Sequence, residues 1–474
     1  MSKRKILLIC PPSVVEVFGK KRAVVARTPY LSLASLAGEL LRAGHDAHIL
    51  DLSVEKNIDY ALDQAFELYH PDIAGITFTT PLANLAMDVA NRIKEKWPNT
   101  LMLAGGVHCT TLPEEVLNNS KVDAVVMGEG EKTLLEIAEG LPFQKILGLA
   151  YRAADGKIVI NERRPLISDL DSLPYPAWHL YDIKEYRTAP VVTKGRHICA
   201  IETSRGCVFG CSFCNKSVFQ RLFRAKSPER VVDEIEYTLK FGFDEIHIMD
   251  DMFSTDINRA KEICRLIIKR KMKFVWNAQA GLRVDCIDEE LLRLMKQAGC
   301  YATSMGIESG NQNILNLANK GITLDQVRKA VALIKKVGLQ TTGFFILGLD
   351  GESEATMQDT INFAKELKLD FPKTHIVVPL PGTPLFNKWK SEGRIKSYNW
   401  SKYIFHPESE LVYEHPNLKR EMILKYYNKF YRELYFNLHF IWKRFERGLR
   451  TGNIFVDIYY FFKALFGGWV KLAD

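Results

Sequence analysis

His197-Ile-Cys-Ala-Ile-Glu-Thr-Ser-Arg205-Gly206-Cys207-Val-Phe-Gly210-Cys211-Ser-Phe213-Cys214 joins an apparent β-strand to a loop with three cysteines in eight residues. A cubane iron–sulfur cluster needs four iron ligands, and cysteine thiolates are the usual ones. Three in one loop leave one iron without a protein ligand. Such an open position is what a metal centre uses to bind a substrate or cofactor, rather than to brace a fold. Gly206 and Gly210 let the backbone wrap closely around a cluster. The competing reading is a zinc knuckle that borrows a fourth ligand such as His197.

Working outward, the strand before this loop is the first of six in residues 191–390. The others are DEIHIMDD, KFVWNAQAG, YATSMGIES, QTTGFFILGL and KTHIVVPLPG, separated by helical patterns such as SPERVVDEIEYTLKFG. Six βα units in succession predict a partial (β/α)6, TIM-like barrel. Residues 1–140 also alternate short apolar runs (KILLIC, HDAHILDL, DIAGITFTT, TLMLAGG, VDAVVMGEGE) with helical patterns. Buried parallel-type strands alternating with helices predict an α/β, doubly wound parallel sheet of flavodoxin or Rossmann type. Residues 141–190 read as a linker with a hairpin at Asp155-Gly156 and extended proline-bearing sequence. Residues 391–474 lose the βα pattern and are helical, basic and aromatic. Three readings of this tail stand: a membrane-surface helix, a lid over an apolar substrate, or an amphipathic packing helix.

At 474 residues the chain exceeds one ordinary core, and its 47% hydrophobic and 25% charged residues are ordinary for a globular protein. The net charge of +8 suits anionic cofactors, a membrane surface or nucleic acid equally. The start, MSKRKILLICPP, has too short an apolar run for a signal sequence, and Pro11-Pro12 ends it. No run approaches the roughly 18 apolar residues of a membrane span. The expectation is a cytoplasmic protein, peripheral to a membrane only if the tail is interfacial. Its thiols then stay reduced. Cys10, Cys109, Cys199, Cys264, Cys286 and Cys300 are scattered and read as small buried apolar residues.

The C-x3-C-x2-C loop, with Phe213 before its last cysteine, resembles the signature of the radical S-adenosylmethionine (SAM) superfamily. The resemblance implies a [4Fe–4S] cluster on Cys207, Cys211 and Cys214, whose open iron chelates the amino and carboxylate groups of SAM. Reductive cleavage then yields a 5′-deoxyadenosyl radical. Met249-Asp250-Asp251-Met252-Phe253 matches the family's element for the SAM amino group, and carboxylates there can accept hydrogen bonds from an ammonium. Glu308 in Gly306-Ile307-Glu308-Ser309-Gly310 resembles the ribose contact, and Ile346 and Gly348 in Phe345-Ile346-Leu347-Gly348-Leu349 resemble the adenine contact. With Phe213 these give Asp250, Asp251, Glu308, Ser309, Ile346 and Gly348 as SAM candidates. All lie at carboxyl ends of strands, where barrels place their active sites.

Residues 1–140 resemble the cobalamin-binding domain fused to many radical SAM enzymes. The matching pieces give Thr79, Thr80, Gly105, Gly106, His108, Gly128, Glu129 and Gly130 as cobalamin candidates. Carboxyl-end loops of a doubly wound sheet form the ligand crevice, and small residues there admit a flat macrocycle. One departure is plain: the loop Pro11–Gly19 lacks the D-x-H-x-x-G histidine of classical cobalamin domains. His108 follows another strand and reads as a packing histidine. The resemblance implies cobalamin-dependent methylation of an unactivated carbon or phosphorus centre. A radical cyclase without methyl transfer is the alternative, and a non-catalytic Fe–S or cobalamin sensor is the alternative of another class. A tRNA methylthiotransferase would carry a further cysteine set in the N-terminal block, which is absent. The implied partners are a small-molecule substrate, lipid-like or tetrapyrrole-like, and an electron donor such as flavodoxin or ferredoxin; no nucleic acid is expected.

Overall fold

The computed structural model describes residues 3–12, 28–186, 188, 193–405, 411–437, 440–442, 445–446 and 455. The first sheet contains β1 (Lys5–Cys10), β2 (Asp46–Asp51), β3 (Ile73–Thr77), β4 (Leu101–Gly105), β5 (Ala124–Val126), β6 (Leu149–Arg152) and β7 (Ile158–Ile160). Their order is β2-β1-β3-β4-β5-β6-β7, parallel through β5 and antiparallel thereafter. Residues 6–10 are all buried, as befits a strand covered on both faces. Helices Leu31–Arg42 and Gly130–Ala138 pack on one face, and Ile58–Tyr69 and Ala83–Lys96 on the other. The hairpin at Asp155-Gly156 adds β6 and β7 to this sheet, so hydrogen-bonded structure continues past residue 140.

The second sheet runs β8 (Ile198–Ile201), β11 (Glu245–Ile248), β12 (Val275–Leu282), β13 (Cys300–Glu308), β14 (Gln340–Leu347) and β15 (Phe371–Ile376) in chain order, all parallel. Among the described residues β8 and β15 do not pair, which leaves the six-stranded barrel open on one side. Between β8 and β11 lies a two-stranded ribbon, β9 (Ser204–Arg205) and β10 (Arg224–Ala225). The crossover helices start on local caps: Ser227, Asp256 and Asp288 each accept a backbone N–H, and Thr323 and Ser353 form capping boxes.

Of the C-terminal region, helix Arg420–Tyr435 packs on the outer face of β14 and β15. Phe430 and Phe345 are both fully buried, with ring centroids 5.5 Å apart, and Tyr431 OH donates to the Thr374 carbonyl at 3.1 Å. Burying a side chain of this size stabilises by about 1.5–3 kcal/mol. For this stretch the packing reading holds. Of the interfacial-type segment 455–470, only Phe455 lies among the described residues. No helix among the described residues is long and apolar enough to cross a membrane. Cys10, Cys109, Cys199, Cys264 and Cys300 are buried as expected, whereas Cys286 is only half-buried beside Asp285.

Candidate active site

The cysteine loop is the tip of the β9–β10 ribbon, at the carboxyl end of β8. Gly206 has φ +85°, and a Cβ there would lie 2.1 Å from the Leu222 carbonyl oxygen, so the closure requires glycine. The backbone is pinned along the loop. Gly206 N–H donates to Asp251 at 3.1 Å, and Ser212 N–H to the Ala318 carbonyl at 2.9 Å. The Gly210 carbonyl accepts from Asn319 at 2.9 Å, and the Arg283 guanidinium lies 3.5 Å from the Phe209 ring centroid.

Cys207 is buried, and Cys211 and Cys214 are half-buried. Burial pushes the Cys211 and Cys214 thiols up; Lys320 and Arg283 act against this at Cys211, and Lys216 at Cys214. Among the described residues no set of three or more His, Cys, Asp or Glu side chains is gathered tightly enough for one metal ion. The fit to an iron–sulfur cluster rests on donor chemistry: three soft thiols, no carboxylate or imidazole within the loop, and cations placed to offset thiolate charge. His197, the zinc-knuckle candidate, precedes β8, whereas the cysteines follow its far end, and its Nδ1 faces the Tyr186 carbonyl at 3.3 Å. The strand separates them.

The SAM candidates divide. Asp251 and Met249 line a large cavity next to the cysteine loop. Glu308 sits at φ +70°, a left-handed conformation costly for a non-glycine residue, and pairs with Lys320 at 2.7 Å. Ile346 and Phe213 are partly buried against the same apolar cluster. The Gly348 N–H donates to Glu352 at 2.5 Å, and burial raises that carboxyl to about 8. Asp250 is turned inward and spent: its carboxylate accepts from Thr203 N–H (2.6 Å), Thr203 OH (2.5 Å) and Ser204 OH (2.7 Å). Ser309 is likewise buried, bonded to Thr360 at 3.2 Å and to Asn311 N–H at 3.1 Å. Neither presents a polar group to the cavity.

That cavity, of about 770 Å³, lies between the carboxyl ends of the two sheets and is within the ordinary range for ligand sites. From the first domain come Thr79, Gly105, Gly106, Gly128, Glu129 and Gly130, with Tyr30–Leu33 of the first helix. From the barrel come Ala200, Arg205, Lys216, Phe219, Met249 and Asp251. Gly106, at φ +103°, would place a Cβ 2.6 Å from the Phe78 carbonyl, so the strand-end turn again requires glycine. A glycine- and serine-lined crevice at the β1/β3 switch point fits a flat macrocycle. No histidine lines it among the described residues; most of the loop after β1 falls outside them.

Two cobalamin candidates turn away. His108 is fully buried, with Nδ1 at 3.2 Å from the Thr80 hydroxyl and Nε2 at 3.2 Å from Glu115. Both ring nitrogens are engaged, so His108 and Thr80 form packing structure rather than a ligand. A third is spent elsewhere: Glu129 accepts from Arg205 (2.7 Å), Arg224 (2.9 Å) and the Ile167 N–H (2.7 Å). Arg205 also reaches Glu131 at 2.7 Å and Glu202 at 2.6 Å. Burial would push the Glu131 carboxyl up, but Arg205 overrides it and holds it below the usual range. This buried network ties the first domain to the residue two before Cys207. Sequence reading missed Arg205, Arg224 and Glu131, although a charge beside the cysteine loop and a second glutamate in GEGE were visible.

Comparison with known proteins agrees with this arrangement. The Radical SAM superfamily matches residues 201–364, and the B12 binding domain family residues 22–138. The chain is 34% identical over 464 residues to an uncharacterized methyltransferase of Pyrococcus horikoshii, covering 95% of this chain and 98% of that protein. It is 30% identical over 393 residues to the anaerobic magnesium-protoporphyrin IX monomethyl ester cyclase of Rubrivivax gelatinosus, covering 81% and 70%. The fold is shared with the radical SAM methyltransferase TsrM of Kitasatospora setae, at TM-score 0.68 and 20% identity, over 82% of this chain and 75% of that one. The chain belongs to the radical SAM enzymes that carry a cobalamin-binding domain, and its cofactors are a [4Fe–4S] cluster, SAM and cobalamin.

Proposed function

We propose that the chain methylates an unactivated carbon or phosphorus centre of a small molecule in a cobalamin-dependent radical reaction. The observation that carries this reading is one cavity bounded on one side by Lys216, Met249 and Asp251 and on the other by Thr79, Gly105, Gly106, Gly128 and Gly130. When bound, the cluster and SAM supply a hydrogen-abstracting radical, and cobalamin supplies a methyl carrier. The protein binds, orients and shields these groups. Cys207, Cys211 and Cys214 hold the cluster, and Lys216, Lys320 and Arg283 balance its thiolates. Asp251 ties the Gly206 N–H, fixing the loop against the end of β11, and Glu308 is held for a ribose hydroxyl by Lys320. Gly105, Gly106, Gly128 and Gly130 would admit the flat macrocycle. An external one-electron donor of flavodoxin or ferredoxin type is required.

The second reading is a ring-forming radical reaction without methyl transfer, favoured by the likeness to the Rubrivivax cyclase. Anaerobic reconstitution with SAM, reductant and cobalamin tests both. The expected result is 5′-deoxyadenosine together with a changed cobalamin spectrum. Methyl label from SAM that never reaches product would leave only the second reading, and a bound cluster yielding no deoxyadenosine would return the chain to the sensor class.

A further inference from the structure

The inner wall of the barrel holds a cation that the cofactor site does not use. Side chains alternate along β15, with Thr374 and Ile376 buried outward and Lys373 and His375 facing the other way. The register fixes the direction: Thr374 is level with Phe345, and Phe345 packs outward on Phe430. Lys373 is therefore on the lumen face, level with Phe344, and His375 is level with Ile346. The Phe344 and His375 rings stack at 6.1 Å, and His375 lies 5.7 Å from Phe405. The Lys373 Nζ sits 5.7 Å from the Phe344 ring centroid.

Three properties set Lys373 apart. It makes no hydrogen bond or ion pair among the described residues. It keeps an accessible surface, as does Phe405, which is 47% exposed, so a ligand can reach this wall. Neighbouring groups partly desolvate its ammonium and lower its pKa below the ordinary lysine value, and no carboxylate among the described residues acts on it. A partly desolvated cation without a counter-ion among the described residues favours a bound anion. Gly306 is level with Phe344 on the neighbouring strand and carries no side chain of its own; the Glu308 carboxylate and the Lys320 ammonium fill the space over it. Two strand spacings, about 10 Å, separate Lys373 from Gly306 and the Glu308 turn.

We propose that Lys373, Phe344, His375 and Phe405 form the substrate anchor of the barrel, in which Lys373 pairs with a carboxylate or phosphoryl oxyanion whose flat apolar body lies on the Phe344 and Phe405 rings. This rests on the barrel mouth being the radical site, and it names the substrate class as an anion borne on a planar apolar group.

The test uses the full chain, reconstituted with cluster and SAM, titrated calorimetrically with 1-naphthoate, 1-naphthyl phosphate and neutral 1-naphthamide. At least one anion is expected to bind about tenfold or more tighter than the amide, the factor that ~1.4 kcal/mol of charge pairing gives; which anion binds better identifies the acid group. Lys373→Ala and Lys373→Met are expected to abolish the preference, Lys373→Arg to keep it, and Phe405→Ala to weaken all three probes alike. Equal binding of anion and amide to the wild-type chain overturns the anchor. So does a preference that survives in a Lys373 variant with intact cluster absorbance and unchanged Tm. An intact preference in a chain that makes no deoxyadenosine overturns the radical reading instead, and keeps the anchor.

Discussion

Where the barrel strands begin, Glu245 is sealed from solvent and accepts backbone N–H groups of Lys194 (2.8 Å) and Gly195 (2.6 Å) and the Tyr301 hydroxyl (2.6 Å), with His247 Nε2 at 2.7 Å. Where they end, Glu129 and Glu131 reach from the first domain to Arg205 and Arg224. Burial pushes the Glu245 carboxyl up, but hydrogen bonds from His247, Tyr301 and Gly195 overcome it and leave the carboxyl below the usual range. The lower network stays within the barrel and includes Asn277, which donates to Glu245 at 3.3 Å and leaves its own Oδ1 without a partner among the described residues. The upper one crosses between domains and leaves Arg224 Nε and Nη2 without partners among the described residues. A polar network within one domain fixes that domain's core, whereas the mouth, with its cations, half-buried thiols and Glu308 in a left-handed conformation, keeps binding capacity in reserve.

The sharpest contrast is chemical. Replacing Cys207, Cys211 or Cys214 with Ala is expected to reduce iron content and deoxyadenosine formation to background, while Glu245→Gln keeps its iron; anaerobic iron analysis and product chromatography measure this. Next in size, Arg205→Ala leaves the buried Glu131 carboxylate without its paired cation, while Glu129 keeps Arg224, and should cost about 3–5 kcal/mol in denaturant unfolding. A cost under ~1 kcal/mol would mean that the domains are held by other contacts.

Glu245→Gln should cost less, about 1–3 kcal/mol, because only part of a hydrogen-bond set is lost. Its pH dependence gives the sign. A carboxylate whose folded pKa is depressed contributes stability above the unfolded value of 4.5, and that contribution disappears as pH falls through the folded value. The gap in Tm between wild type and Glu245→Gln should therefore narrow on acidification; a gap that widens contradicts the assignment. Smallest is the exposed pair of Arg328 with Glu366 on the outer helices, where Arg328→Ala should leave the denaturation midpoint unchanged within error.

Much of the fold was legible because each barrel unit carries its own local signals. Apolar strand runs alternate with helices begun by Ser227, Asp256, Asp288, Thr323 and Ser353, and those caps need no distant partner. The cysteine loop was legible for the same reason, its donors being sequence neighbours. Asp250 and Asp251 show where that legibility stops. Successive residues at a strand end point to opposite sides, so one carboxylate is consumed by Thr203 and Ser204 while the next lines the cavity. His108 and Glu129 sat in plausible motifs, yet Thr80, Glu115, Arg205 and Arg224 claim their polar atoms.

By itself the sequence determined two βα blocks, a three-thiol loop at the end of a strand and glycine-rich turns facing it, because periodicity, capping and short-range donor spacing are local properties. Only the tertiary structure decided which residues share the cavity, which acids are spent on the Arg205 network 76 residues away, and that Lys373 faces the lumen without a counter-ion among the described residues. The reason is physical: pairing, burial and orientation depend on what the fold brings from elsewhere in the chain, and a linear spacing carries no record of it.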